Sequence, residues 1–346
     1  MKIQNFNIDG NNETFIIAEI AQAHDGSLGL AHSFIDAVAK TGAHAIKFQT
    51  HIANAESTLD EEFRIPMSSQ YKNRWEYWKR MEFTPTQWSE LARHAKEKNL
   101  IFLSSPFSIE AVNLLKRIGM PAWKIGSGEV FNFPIINLIL DIGGPILLSS
   151  GMSSWKDIDK LISYTQGEGA EVALFQCTSN YPTSLEEVGI NILAEIKDRY
   201  NIPNGLSDHS GSPWPSIAAI ANQADFLEVH VNFDRDMYGP DSSSSLNISE
   251  LAMVCEANEA FKKLRMNPVN KKQLSKNLEK TKSLFTKSLS PINDLPAGTR
   301  LTKEMLTYKK PGGGICSDDI DKIVGMRLKV AVPSNRILKY DDLESN

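Results

Sequence analysis

The chain has 346 residues, 41% of them hydrophobic, and its 37 basic and 42 acidic side chains leave a formal net charge of −5. That balance gives no general attraction to nucleic acid or an anionic membrane, so any anion must be met by a local basic pocket. The length exceeds one common domain and suits a barrel of about 250 residues with a small module attached.

The first stretch, MKIQNFNIDGNNETF, lacks the apolar core of a signal peptide, and no later run approaches the roughly 20 apolar residues that span a bilayer, so the expected location is the cytoplasm. From Thr14 onward short apolar runs alternate with amphipathic segments. The runs are TFIIAEIAQ, AHAIKFQTH, LIFLSSPF, AWKIGSGEV, PILLSSGM, EVALFQCTS, PNGLSDHS and DFLEVHVNF. Stretches with helical spacing follow them, such as LGLAHSFIDAVAKTG, TPTQWSELARHAKEKN and IEAVNLLKRIG. This alternation implies βαβ units around a parallel sheet buried on both faces. Eight units in succession favour a closed (β/α)8 barrel over an open doubly wound sheet. Polar residues gather at the C-terminal ends of the runs, the face where barrel active sites sit: Glu19, Lys47, Ser105, Lys124, Ser127, Ser149, Ser179, His209, Glu228 and His230.

The link after the second run, His51 to Phe83, is long and carries Trp75, Tyr77 and Trp78. It reads either as a substrate-covering loop or as a loop whose aromatics pack it onto the barrel. After the last helix, Ile248 to Leu264, the chain turns polar and Lys-rich. The expected division is a barrel over 1–266, a linker over 267–283 and a small β-rich module over 284–346, with turn signals at DLPAG and KKPGGGI. The three distant cysteines, Cys177, Cys255 and Cys316, include no CxxC and read as reduced thiols.

The stretch from Gly205 to Asp241 places His209 and His230 at the ends of successive runs, flanked by Asp208, Glu228, Asp234 and Asp241. Neutral imidazoles suit Mn, Fe, Co or Zn, with carboxylates and waters completing the shell, and the absence of cysteine from the set argues against structural zinc. Glu228 shares a strand face with His230 and is placed to orient a metal-bound water or accept a proton. Lys47 and Lys124 lie within otherwise apolar strands, where an unpartnered ammonium is costly. They call for a phosphate-like anion cradled by strand-end hydroxyls or, alternatively, for structural pairs with Glu19 or Glu129. GSGE at Gly126–Glu129 is not a dinucleotide fingerprint, and neither a phosphate-binding GxxxxGKS/T nor a GxSxG elbow occurs. PGGGI at Pro311–Ile315 is a tight or mobile turn preceded by Lys309 and Lys310.

Taken together, AEIAQAHDGS, KFQT, SSPF, KIGSGE, SSGM, CTSNYPT, GLSDHS, EVHVNFDRDMYGPD and LTYKKPGGGI stand in the order seen in the sialic acid (N-acetylneuraminate) synthase family, over about Phe15 to Leu338. The resemblance implies a (β/α)8 barrel followed by a domain similar to type III antifreeze proteins (a SAF domain). It also implies a homodimer in which that domain covers the partner's barrel. The implied reaction joins phosphoenolpyruvate to an N-acylated mannose-type sugar, giving a nine-carbon 2-keto acid and phosphate by C–O cleavage. By the same resemblance His209 and His230 hold Mn2+ or Mg2+. Glu19 helps deprotonate water, and Glu228 lies beside the metal and the reacting sugar. Lys47, Ser105, Lys124, Ser127, Ser149, Ser179 and Ser207 take phosphoenolpyruvate, and Tyr181 and Asp241 contact the sugar.

Three positions depart from the family pattern. Ala23-His24 stands where Asn-His is common, Ser179 where Asn is common, and Lys310 where an Arg usually reaches into the partner's site. A lysine does not fork bidentately as an arginine does, which points toward a modified sugar. The competing expectations are a metal-dependent pyruvate aldolase or lyase, which needs the histidines but no phosphate cradle, and a sugar-binding homologue without turnover.

Overall fold

Period-two alternation in eight parallel strands decides what the interior of this protein contains. The strands are β1 (Phe15–Ala21), β2 (Ala45–Thr50), β3 (Ile101–Pro106), β4 (Trp123–Ile125), β5 (Ile146–Ser149), β6 (Val172–Cys177), β7 (Asn204–Asp208) and β8 (Phe226–Asn232). The computed structural model describes residues 1–8, 13–64 and 70–344. The hydrogen-bonded order is β3-β2-β1-β8-β7-β6-β5-β4, all pairs parallel, with the short strand Leu246–Asn247 added beside β8. The two ends of that path, β3 and β4, lie side by side, which makes a nearly closed barrel. The expected (β/α)8 architecture is the one found.

Residues of one parity point outward beneath the helices: Ile16, Ala18 and Ile20 of β1 pack with Phe34, Ile35 and Val38 of the first helix, Leu28–Val38. The other parity points inward. Its lower members are apolar, with Phe15, Ile17, Ala45, Leu103, Leu147, Phe175 and Phe226 packed together, and Ile3 and Ile8 of the N-terminal segment join the same cluster. Truncating a fully buried aromatic such as Phe226 to Ala typically costs about 3–5 kcal/mol. Gly205 shows how tightly this layer is filled: a Cβ there would lie 2.7 Å from the Phe226 Cβ and 3.0 Å from the Phe175 ring. Two residues further along each strand the inward parity turns polar, and that change creates the site.

Local signals set the helices. Thr84 and Gln87 form a capping box before Pro85–Glu97, with Pro at the start, where its missing N–H costs nothing. Ser108 caps Ile109–Ile118, and Gly119, at φ +89°, ends it in the left-handed conformation glycine tolerates. The long link carries the helices Ala53–Glu56 and Arg74–Met81, and Ala53, Tyr77, Trp78 and Met81 form a cluster of their own with Phe63, Tyr71 and Trp75.

The chain divides into two compact units, 1–266 and 267–346. In the second, the polar stretch after residue 266 forms two short helices, Lys271–Asn277 and Glu279–Phe285. Strands Ser288–Pro291 and Leu306–Lys309 pair antiparallel over a small core that includes Leu289, Leu301, Ile315, Ile323, Leu328 and Val332. The PGGGI turn is held tightly: Gly312 N donates to Ser283 O at 2.7 Å, and a Cβ on Gly314 would lie 2.5 Å from Leu338 O.

Candidate active site

The upper, polar layer of inward residues opens into a cavity of about 560 Å³ at the C-terminal ends of the strands. Glu19 comes from β1, Lys47 and Gln49 from β2, Ser105 from β3, Lys124 from β4, Ser149 from β5, Cys177 from β6, Ser207 from β7, and Glu228 with His230 from β8. Loops add Ser127, Ser179, Tyr181, His209 and Asp241. Every site residue expected from the sequence therefore lines this one cavity except Lys310. That residue belongs to the second unit, where its Nζ sits 5.3 Å over the Phe285 ring. The β1–β2 register shifts between Glu19 and Ala21, and Ala21 takes φ +46°; such a bulge re-aims the side chains next to it.

Two ammonium groups and two carboxylates are buried together at the centre. Lys47 Nζ pairs with Glu19, lies 3.6 Å from Glu228 Oε2, and donates to Ser105 Oγ at 3.2 Å. Lys124 Nζ lies 3.6 Å from Glu228 Oε1 and donates to Ser149 Oγ, while Ser207 Oγ donates to Glu228 Oε1 at 3.0 Å. The Lys47–Glu19 pair raised as a structural alternative is thus present. Glu129 takes no such part; it accepts from Asn132 Nδ2 at 2.7 Å. Burial opposes charge on both carboxylates, and their neighbours split them apart. For Glu19, burial and the nearby Glu228 outweigh Lys47 and push its pKa up to about 6. For Glu228, Lys124 and Lys47 together overcome burial and hold it down at about 2. Burial lowers the Lys124 ammonium, whereas Glu19 and Glu228 more than offset burial at Lys47 and raise it. Two carboxylates separated in this way can take different chemical roles.

The histidines line the same cavity, His230 next to Glu228 on one strand face, their ring centroids 5.2 Å apart. Tyr181 stacks on His209 at 4.1 Å and meets His230 edge-on at 5.9 Å. His209 Nδ1 lies 2.9 Å from the Thr178 carbonyl oxygen, which can only accept, so Nδ1 carries the proton and Nε2 is left as the ligating nitrogen. Burial and the neighbouring His209 drive His230 well below the usual histidine range, so it is a neutral donor. This pair fits a divalent ion as two nitrogen ligands. Among the described residues no set of three or more His, Cys, Asp or Glu is arranged to hold one, so the remaining ligands would be water and substrate oxygens. Two flanking carboxylates face elsewhere. Asp208 has the opposite parity to Ser207 and accepts from Ser210 N at 3.0 Å, and exposed Asp234 accepts from Asp236 N at 2.9 Å.

Several cavity residues escape sequence reasoning. Gln49 and His51 continue the parity of Lys47, a signal that was available in KFQTH; Gln22 and Glu56 join them by contact rather than by spacing. Cys177 follows Phe175 in the same way. Arg64 has no such signature: it sits in the long link, stacks 4.2 Å over Tyr181 and donates to Asp241 Oδ1 at 3.0 Å. The link therefore packs on its own aromatics and contributes to the cavity wall. At the departures from the family pattern, buried His24 accepts from Gly26 N at 3.1 Å and is held by burial at about 3, a packing role. Ser179 faces the cavity while Asn180 Nδ2 donates to Glu187.

No helix among the described residues is long and apolar enough to cross a membrane. The NeuB family matches residues 34–269 and the SAF domain residues 286–344. The chain is 32% identical over 319 residues to the N,N'-diacetyllegionaminic acid synthase of Campylobacter jejuni, covering 90% of this chain and 95% of that protein. It is 32% identical over 336 residues to human N-acetylneuraminate-9-phosphate synthase, covering 94% and 91%. Among solved structures, the N-acetylneuraminic acid (sialic acid) synthetase of Leptospira borgpetersenii, in complex with citrate, superposes with a TM-score of 0.70 at 28% identity, covering 81% of this chain and 96% of that one. With the barrel, its polar upper layer and both matched domains in hand, the chain belongs to the NeuB family of synthases and carries a C-terminal SAF domain.

Proposed function

We propose that the protein condenses phosphoenolpyruvate with an N-acylated mannose-type aldose to give a nine-carbon 2-keto sugar acid and phosphate. The observation that carries this reading is the convergence of buried Lys47 and Lys124 on Glu228, each at 3.6 Å, inside a ring of hydroxyls. A metal-dependent pyruvate lyase needs the histidines but no phosphate cradle.

Lys47 and Lys124 hold the anionic groups of phosphoenolpyruvate, with Ser105, Ser127, Ser149 and Ser179 donating to its oxygens and Ser207 lining the same cradle. Tyr181 and Asp241 orient the sugar. His209 and His230 hold the divalent ion, Mn2+ or Mg2+, which when bound polarises the open-chain aldehyde as a Lewis acid. The double-bond electrons of phosphoenolpyruvate form the C3–C1 bond, and the aldehyde oxygen takes up a proton from solvent to become a hydroxyl, a proton balanced by those that the water added at C2 gives up. Glu228, ionised at its lowered pKa, offsets the positive charge left at C2. Water adds at C2, Glu19 takes its proton, and phosphate leaves with the bridging oxygen to give the ketone. We further read the protein as a cytoplasmic homodimer in which the SAF domain of one chain, with Lys310, caps the barrel of the other; resemblance to the family supports this.

The test is phosphate release from phosphoenolpyruvate with Mn2+ and a panel of N-acyl hexosamines. If no sugar in the panel leads to phosphoenolpyruvate consumption, the reading is wrong. For the cap, mixing Glu19→Gln and Lys310→Ala chains should restore activity, since a mixed dimer then holds one intact site. No recovery in a demonstrated heterodimer would exclude capping in trans.

A further inference from the structure

A second buried acid–base pair sits in the cavity wall without a part in the reaction above. The His51 ring is sandwiched between Trp78 at 3.9 Å and Phe107 at 4.5 Å, both at 16°. Its Nδ1 lies 2.5 Å from Glu56 Oε1, and Glu56 Oε2 accepts from Ile52 N at 3.2 Å. Both side chains are more than nine-tenths buried. A π-sandwich, an anchored carboxylate and deep burial fix this imidazole in place, tilt and tautomer.

The contacts run on in one direction. A carboxylate only accepts, so His51 Nδ1 donates, and with the ring neutral Nε2 accepts; that nitrogen faces Gln22 Nε2 at 2.9 Å and Gln49 Oε1 at 3.1 Å. Gln22 Nε2, 2.9 Å from that nitrogen, therefore donates to it, and also donates to Gln49 Oε1 at 2.5 Å. Gln49 is then left with its amide nitrogen toward Glu19, where Nε2 donates to Oε1 at 3.2 Å. Rotating the Gln49 amide by half a turn would set NH2 against NH2 at Gln22 and carbonyl against carboxylate at Glu19. Gln49 Oε1 thus faces Gln22 and His51, and its Nε2 faces Glu19.

We propose that Glu56 and His51 are positioning residues for the condensation: through Gln22 they hold the Gln49 amide in the one orientation that donates to Glu19. This rests on Glu19 being the group that receives the proton of the attacking water. The dyad touches neither reacting carbon, and its effect reaches the reaction only through the aim of that carboxylate.

Two variants test it in the full-length, metal-loaded enzyme. His51→Phe keeps an aromatic ring between Trp78 and Phe107 and removes both ring nitrogens; Glu56→Gln keeps the shape and removes the charge. Each should lower kcat about tenfold while the KM values for phosphoenolpyruvate and for the aldose stay within about twofold. The double variant should be little worse than either single, because the groups act as one unit. Glu56→Asp should recover part of the loss. Wild-type kcat in both singles overturns the proposal. So do losses that multiply in the double variant or that follow a fall in Tm, since those are the marks of packing alone. A wild-type enzyme inactive with every sugar defeats the underlying reaction and this inference with it, whereas an active wild type with unaffected variants defeats the inference only.

Discussion

Glu19 and Glu228 lie in one pocket, on adjacent strands, yet one is pushed up to about 6 and the other held at about 2. The split gives each a pH signature. Glu19 serves as a base only when ionised, so kcat should rise as pH increases through about 6 and level off above it, and Glu19→Gln should lose about 10²–10⁴ of the rate on that plateau together with the rising limb. Glu228 stays charged throughout and adds no limb to the profile. Lys124 is the residue that most clearly separates a synthase from a lyase. Lys124→Ala removes a charged contact of about 1.5–3 kcal/mol, so the KM for phosphoenolpyruvate should rise roughly ten- to hundredfold in steady-state kinetics. An unchanged KM would point to the lyase.

At the scale of elements, strand parity made most of the site readable beforehand. Once β2 is a strand, Lys47 inside implies Gln49 and His51 inside. The loop residues were readable only by resemblance, and Arg64 not at all, because a long link has no period to carry the information. The role of glycine in the loop after β5 was equally hidden. A Cβ on Gly151 would lie 2.2 Å from Ser179 Oγ and 2.4 Å from Ser127 Oγ, so this backbone fits only if it comes flush against two hydroxyls of the cradle. Gly151→Ala should drive both hydroxyls away. It should raise the KM for phosphoenolpyruvate roughly tenfold by misplacement alone, with the sugar KM little changed. A matching rise in both constants would mean the loop had rearranged as a whole.

For the molecule as a whole, composition was silent on the cavity. An overall charge of −5 says nothing of a wall lined by the carboxylates Glu19, Glu56, Glu61, Glu129, Glu228 and Asp241 against the cations Lys47, Lys124, Arg64 and Arg74. Away from the central lysines, Arg64 is matched by Asp241 and Arg74 by Glu61 at 3.2 Å. A second phosphate on the acceptor would meet carboxylates that repel it. The free aldose should therefore be used with a kcat/KM about tenfold or more above that of its 6-phosphate, measured side by side; the reverse order would show that the wall is not what selects the acceptor. The eight-unit barrel was legible because alternation repeats. The stretch 267–283 reads as a polar, mostly helix-compatible linker, and it runs through the short helices Lys271–Asn277 and Glu279–Phe285.

The seam of the barrel has a mechanical consequence. Strands β3 and β4 end the hydrogen-bonded path and lie side by side, so the wall is a spring coiled almost closed with no ladder joining its ends. Ser105 stands on one end and Lys124 on the other. A ligand gripped by both acts as a clasp across the gap, and phosphoenolpyruvate should stiffen the barrel as well as occupy it. Hydrogen exchange at the facing amides of Ile101–Pro106 and Trp123–Ile125 should slow when phosphoenolpyruvate binds, more than in the strands opposite. The substrate would then complete, for the length of one turnover, the ring that the backbone leaves open.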